Sequence, residues 1–189
     1  MTGGLQSAFR LAGRRAAPSA LVGVLGAFLL VAGCTDNKDA ALHQPGGEDL
    51  APELVATDLA GDVVRLADLR GKVVLVNFWQ ASCGPCLGEL PGFDAFYRAN
   101  QDKGAVIVAV NMGESDEVIE ATARRMGLSL PLLVDRLDIT SARYNVLAVP
   151  TSFLIDADGK LVERINGPLN EQDLAKKFGP LLGHSKLET

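Results

Sequence analysis

The sequence predicts an α/β fold in which a mainly parallel central sheet is flanked by helices and finished by antiparallel strands. Three observations point to it. The run Val73-Val74-Leu75-Val76-Asn77-Phe78 is apolar apart from one amide, as a strand buried on both faces would be. Segments of strand and helix character alternate after it. Between that strand and the next helix stands Cys83-Gly84-Pro85-Cys86.

The 189 residues suit one domain with a short appendage, and 48% apolar residues are enough to bury a core. The formal net charge is −5. Of 18 basic residues, Arg10, Arg14 and Arg15 precede Cys34; without them 15 face 23 acidic ones, a net of −8. Such a domain repels phosphate backbones, so no nucleic-acid partner is expected. The two histidines, His43 and His184, lie near the ends of the mature chain, which leaves little for a histidine metal site or a Ser-His-Asp triad.

Residues 1–33 read as an export signal. The arginines form a basic start, and Ala20 to Ala32 is uncharged and largely apolar but short for a membrane span, which takes about 20 residues. The string Leu30-Val31-Ala32-Gly33-Cys34 resembles a bacterial lipobox. That resemblance implies cleavage before Cys34, acylation of its thiol and a lipid anchor in a membrane; an uncleaved signal anchor is the other reading. Either places the remainder in the cell envelope, on the periplasmic or other extracytoplasmic side. Residues 34–47, polar with Pro and Gly, form a flexible tether to a domain at 48–186.

Within the domain, Leu54 to Leu59 and Asp62 to Leu66 flank Ala60-Gly61 as a hairpin. Lys72 to Trp79 is the buried strand, a helix begins at the cysteines, and Ala105 to Val110 is a second buried strand. Ser115 caps a helix with Asp116 and Glu117 in its first turn and Arg124 and Arg125 near its end, and Gly127 stops it. Pro131 to Val134 is a short strand. Asp138 to Tyr144 is a short helix with Asn145 as left-handed cap. Thr151 to Asp156 and Lys160 to Ile165 form a second hairpin, and Asn170 caps the last helix with Asp173 at its third position.

The cysteine unit carries the chemistry. Pro85 fits the first helical turn, where its missing N–H has no partner to lose. Cys83 then lies at the N-cap, where free N–H groups and the positive end of the helix dipole favour a thiolate. Cys86 lies one turn in, so the pair can open and close through a mixed disulfide. A purely structural bridge would gain little from so small a loop. A zinc site lacks two ligands, because the third cysteine, Cys34, is assigned to the anchor.

Val76 to Pro91, with the cysteines at its centre, resembles the active-site segment of TlpA/ResA-type thioredoxin-like proteins, which are related to the AhpC/TSA group; Val149-Pro150-Thr151 resembles their cis-proline loop. The resemblance spans about residues 48 to 180. It implies a thioredoxin-like three-layer fold, a central mixed sheet flanked by helices with an N-terminal β-hairpin and a βα insertion. By position, Cys83 is the attacking and Cys86 the resolving thiol of a redox-active disulfide. Pro150 is implied to be cis opposite it, and Val149 to offer its backbone to an extended substrate strand. Glu89, three residues after Cys86, matches a family glutamate that can take the proton of Cys86; a solvated acid early in a helix is the alternative. Asn77 stands where cytoplasmic thioredoxins have a buried aspartate. Ser82 replaces the usual Trp before the first cysteine, so Trp79 is left as an apolar substrate contact near the site, or else a core residue.

The activity implied is disulfide reduction in exported proteins, apocytochrome c or copper-site cysteines among them. Electrons would come from a membrane donor of the DsbD/CcdA kind, and no cofactor is expected. Gly-Pro between the cysteines resembles the reducing thioredoxins, which lie near about −270 mV. A peroxiredoxin-like thiol peroxidase is the alternative, although Gln80 stands where that group has threonine. A copper-handling role like that of the Sco proteins fits less well, because the cysteine spacing is tighter and no histidine lies between His43 and His184.

Fatty-acid label is expected on the wild-type protein and not on Cys34→Ser. Equal labelling of both would refute the lipid anchor.

Overall fold

The computed structural model describes residues 50–184. The export segment 1–33, Cys34 and the tether 34–47 lie outside the described residues, as do the outermost positions of the 48–186 domain.

A seven-stranded sheet runs in the order β2-β1-β5-β4-β3-β6-β7. Its strands are β1 (Val55–Asp58), β2 (Val63–Arg65), β3 (Val73–Trp79), β4 (Ala105–Met112), β5 (Leu132–Asp135), β6 (Thr151–Ile155) and β7 (Leu161–Asn166). The helices are α1 (Gly84–Asn100), α2 (Asp116–Met126), α3 (Ile139–Arg143) and α4 (Glu171–His184). The expected hairpins, strands and helices are all present.

The sheet is mixed, as the resemblance implies, and less parallel than the alternation of strands and helices by itself suggests: only β3–β4 and β4–β5 are parallel, while β1–β2, β1–β5, β3–β6 and β6–β7 are antiparallel. The five residues of α3 span only about 7 Å. The chain re-enters at the end of the sheet where β5 stopped, and β6 starts with Thr151 beside Phe78, near the carboxyl end of β3. This antiparallel entry brings the loop before Thr151 to the cysteines.

All seven residues of β3 are buried. Val73, Leu75 and Trp79 face a cluster with Leu90 and Phe93 of α1, Ile119 of α2 and Leu174 and Phe178 of α4. Val74, Val76 and Phe78 face the opposite cluster with Leu54, Tyr144 and Phe153. Phe96 and Phe178 join α1 to α4 with ring centroids 5.0 Å apart. On the other face Tyr144 meets Phe153 edge to face with ring centroids 4.8 Å apart, and its hydroxyl donates to the Pro52 carbonyl at 2.6 Å. Burial of the ring pushes the Tyr144 pKa up.

The caps divide into two kinds. Asn170 Oδ1 accepts from the Asp173 N–H at 3.0 Å and Asp173 Oδ2 accepts from the Asn170 N–H at 3.3 Å, a reciprocal cap as expected. Ser115 holds the N-cap position of α2, but its side chain accepts no helix N–H. It hydrogen-bonds Glu117 instead, which lowers the pKa of that carboxyl. Gly127 ends α2 at φ 64°, and Asn145 follows α3 at φ 50°, both left-handed as the sequence predicts.

Asp94 of α1 is buried and makes a tertiary anchor that no local pattern announces. Its Oδ1 accepts from Ser129 N at 2.6 Å, Leu130 N at 2.8 Å and Ser129 Oγ at 2.9 Å, fixing the entry to β5. Burial works to raise its pKa, but these bonds and the Arg98 guanidinium outweigh burial and hold it below the usual carboxylate range. Asp94→Ala would leave the buried Leu130 N–H without its acceptor and release both Ser129 donors, and is expected to destabilise the domain by about 2 kcal/mol in denaturant unfolding at neutral pH. With a depressed folded pKa, the contribution of Asp94 is present above pH 3.8 and lost as pH falls below it, so the gap between the two proteins should close in acid.

Candidate active site

β3 ends at Trp79, and a short turn leads to α1. The Cys83 N–H closes that turn on the Gln80 carbonyl at 3.1 Å. Cys83 is the N-cap of α1, with Gly84 and Pro85 opening the helix as the sequence predicts. Its Sγ accepts from the Cys86 N–H at 3.2 Å, and its carbonyl accepts from the Leu87 N–H at 3.1 Å. The cysteines form a disulfide with their Cα atoms 5.3 Å apart. Cys83 is half-buried and Cys86 fully buried, so one sulfur faces the outside and the other the core. Ser82, Gly84 and Pro85 around Cys83 are exposed.

The Val149–Pro150 peptide bond is cis. Pro150 is buried, and Val149 is half-buried against the cluster that holds Cys83, Cys86 and Trp79. The Thr151 hydroxyl donates to the Ala148 carbonyl at 2.7 Å, and the Gly167 N–H donates to the Pro150 carbonyl at 2.9 Å, holding the loop from both sides. Leu147 and Ala148, just before it, are exposed. The structure thus gathers Cys83, Cys86 and Val149 on one apolar cluster, with the buried cis-Pro150 next to Val149 in the chain. Trp79 is corrected: it is fully buried within that cluster, under the cysteines, and has no surface to offer a substrate. Its place at the end of a strand covered on both faces leaves it no other course. Cys34 lies outside the described residues.

Glu89 is not the solvated acid of the alternative reading, being 5% exposed. Asn77 Nδ2 donates to its Oε1 at 2.8 Å, and the Leu169 N–H donates to its Oε2 at 2.9 Å. Asn77 Nδ2 also donates to Ser152 Oγ on β6 at 3.0 Å. Burial pushes the Glu89 pKa up, and the bonds from Leu169 and Asn77 pull it back only partly, leaving it at about 7. The carboxyl lines an open groove of about 450 Å³ shared with Pro85, Gly88, Pro168 and Glu171. A carboxyl poised near neutrality, one turn from Cys86, can gain and lose a proton under working conditions.

Sequence reasoning missed a second carboxylate. Glu114 Oε2 accepts from the Ala81 N–H at 2.6 Å and from Asn111 Nδ2 at 2.7 Å, and Gln80 Nε2 donates to the Met112 carbonyl at 3.0 Å. These bonds tie the turn that carries Cys83 to the end of β4. The available signal was Asn111, an amide closing an otherwise apolar strand.

The pattern that defines the AhpC/TSA family matches residues 48–164. The chain is 41% identical to the thiol-disulfide oxidoreductase ResA of Geobacillus kaustophilus over 126 residues, 67% of this chain and 72% of that protein. Among solved structures, it is similar to a Chlorobium tepidum protein assigned as the thiol:disulfide interchange protein DsbE, with a TM-score of 0.66 and 30% identity over 71% of this chain and 96% of that one. It is also similar to StoA from Bacillus subtilis, with a TM-score of 0.59 and 25% identity over 67% and 96% of the two chains.

The raised pKa of Glu89 sets the sign of a pH effect. Between the ordinary value of 4.5 and about 7 the folded state holds more proton than the unfolded one, so this contribution to stability is full below pH 4.5 and is lost as pH rises through about 7. Denaturant unfolding of wild type and Glu89→Gln should diverge by on the order of 3 kcal/mol between acid and pH 8, the variant gaining on the wild type. A constant difference across that range would mean that Glu89 titrates normally.

Proposed function

The chain belongs to the AhpC/TSA family of thioredoxin-like proteins and is a thiol–disulfide oxidoreductase; from that premise we propose a division of labour in which Cys83 attacks and Cys86 resolves. The single observation behind it is the unequal exposure of two sulfurs at one helix start, Cys83 reachable and Cys86 buried. In the reduced protein the Cys83 thiolate, favoured at the N-terminus of α1, attacks one sulfur of a substrate disulfide. That S–S bond breaks, a mixed disulfide with Cys83 forms, and the first substrate thiolate leaves. Cys86 gives its proton to Glu89 and attacks Cys83 Sγ. The second substrate thiolate leaves, the Cys83–Cys86 bond forms, and two electrons have passed to the substrate.

The substrates in this reading are disulfide-containing exported proteins, with the cysteines of apocytochrome c or of a copper site as the class. The Val149 backbone beside cis-Pro150 pairs with the substrate strand. A membrane donor of the DsbD/CcdA type returns the electrons, and a lipid on Cys34 keeps the domain in the cell envelope. Among the described residues no helix is long and apolar enough to cross a membrane. The peroxidase reading gains nothing from the site: the residue three before Cys83 is Gln80, whose amide is engaged with the Met112 carbonyl.

Cys86→Ser is expected to accumulate mixed disulfides with envelope proteins on non-reducing gels, and Cys83→Ser to accumulate none. Both should lose catalytic disulfide reduction. Complexes on Cys83→Ser would reverse the assignment, and unchanged exchange activity in both would end it.

A further inference from the structure

Asn77 poses a question that the exchange reaction leaves open. Its side chain is fully buried in β3, and both amide hydrogens are spent, one on Glu89 Oε1 at 2.8 Å and one on Ser152 Oγ at 3.0 Å. Its Oδ1 is buried with no hydrogen-bond partner. A buried acceptor left unpaired is unfavourable and calls for a reason.

The reason lies in what Glu89 requires. As a carboxylate it accepts only, and Nδ2 suits it; as a carboxylic acid with its proton on Oε1 it has a hydrogen to donate, and Nδ2 then opposes it. A side-chain amide offers both chemistries on one planar group, and a half-turn about its last bond exchanges them. After that half-turn Oδ1 stands where Nδ2 stood, accepting from Glu89 O–H and from the Ser152 hydroxyl. Ser152 serves either orientation, because a hydroxyl both accepts and donates. The Leu169 N–H stays on Oε2 throughout. Each orientation leaves one amide atom without a partner, oxygen in the first and nitrogen in the second, so the protonation state of Glu89 decides between them.

We propose that Asn77 is a positioning residue that turns its amide over when Glu89 changes protonation, and so keeps Glu89 hydrogen-bonded in both states. The proton enters from water in the groove or, in the reduced protein, from Cys86, which is then left as a thiolate, and it leaves by the same routes. The titratable groups facing Glu89 are Glu171 of α4 across the groove and, once reduced, Cys86 on its own helix. Asn77 of β3 and Ser152 of β6 are uncharged. An aspartate at position 77 could not do this, since ionised it would offer Glu89 no hydrogen. The inference rests on Glu89 titrating, and not on its exchanging a proton with Cys86.

The test uses the oxidised protein, in which neither cysteine titrates. The side-chain amide resonances of Asn77 should move with pH at the same midpoint as the side-chain carboxyl carbon of Glu89, and should stay fixed in Glu89→Gln. Asn77→Leu should raise the Glu89 midpoint, by less than about one pH unit, because of the two bonds lost the one to the charged carboxylate is the stronger. Asn77→Asp, nearly the same shape and able to fold if the leucine is not tolerated, should raise it further through like-charge repulsion. Asn77 amide resonances that stay still through the Glu89 titration would overturn the proposal, as would an unchanged midpoint in Asn77→Asp. The proton exchange with Cys86 is read separately, from the pH dependence of Cys86 alkylation in reduced Cys83→Ser. If that is unaffected by Glu89→Gln while the Asn77 amide still follows Glu89, only the catalytic assignment of Glu89 falls.

Discussion

β3 has no face for water, and much of the domain is a response to that constraint. Seven consecutive buried residues need apolar cover above and below. α1, α2 and α4 supply it on one side, and Leu54 before β1, Leu66 after β2 and Tyr144 just after α3 supply it on the other. Each Val, Leu or Phe withdrawn from water contributes roughly 1.5–3 kcal/mol, so the apolar members of the strand pull their covering elements into place. Asn77 works against this, because a buried amide without partners costs about 1–3 kcal/mol. Its bonds to Glu89 and Ser152 convert that penalty into two tertiary links, one to α1 and one to β6.

The same strand sets where chemistry occurs. The chain leaves the carboxyl end of β3 and turns straight into α1, so the helix start falls at the rim of the sheet. Its first N–H groups have no partners within the helix, and the Cys83 sulfur takes one of them. Pro85 enforces the turn, and Glu114 steadies it from β4 through the Ala81 N–H. On the other side of β3, β6 starts level with Phe78, which brings Val149 and Pro150 up beside the cysteines. The site is where two neighbours of one buried strand meet its end.

Glu89 shows how burial and hydrogen bonding compete for one carboxyl. Withdrawal from water favours the neutral acid, while the N–H donors of Leu169 and Asn77 favour the anion. Burial wins here by enough to bring the group near neutrality. Asp94, on the same helix and also buried, goes the other way because backbone, hydroxyl and guanidinium donors converge on it. Position on a helix therefore does not fix the behaviour of an acid; the balance between its desolvation and the donors around it does.

The sequence alone determined the order of strands and helices, because side-chain periodicity and turn chemistry are local. It also determined the redox centre, because Cys83 and Cys86 are separated by one helical turn and carry their geometry with them. The caps at Asn170, Gly127 and Asn145 were legible for the same reason. Tertiary structure decided the rest. The antiparallel entry of β6 depended on which end of the sheet the chain meets after α3, which the order of elements does not state. The burial of Trp79 depended on cover from both sides, which its neighbours in the chain do not reveal. The network joining Asn77, Glu89, Ser152 and Leu169 includes a hydrogen bond between residues 80 positions apart, and the Glu114 clamp spans 33. Such contacts exist only once the sheet is assembled, because a hydrogen bond is a matter of distance in space and nothing in the local sequence encodes it.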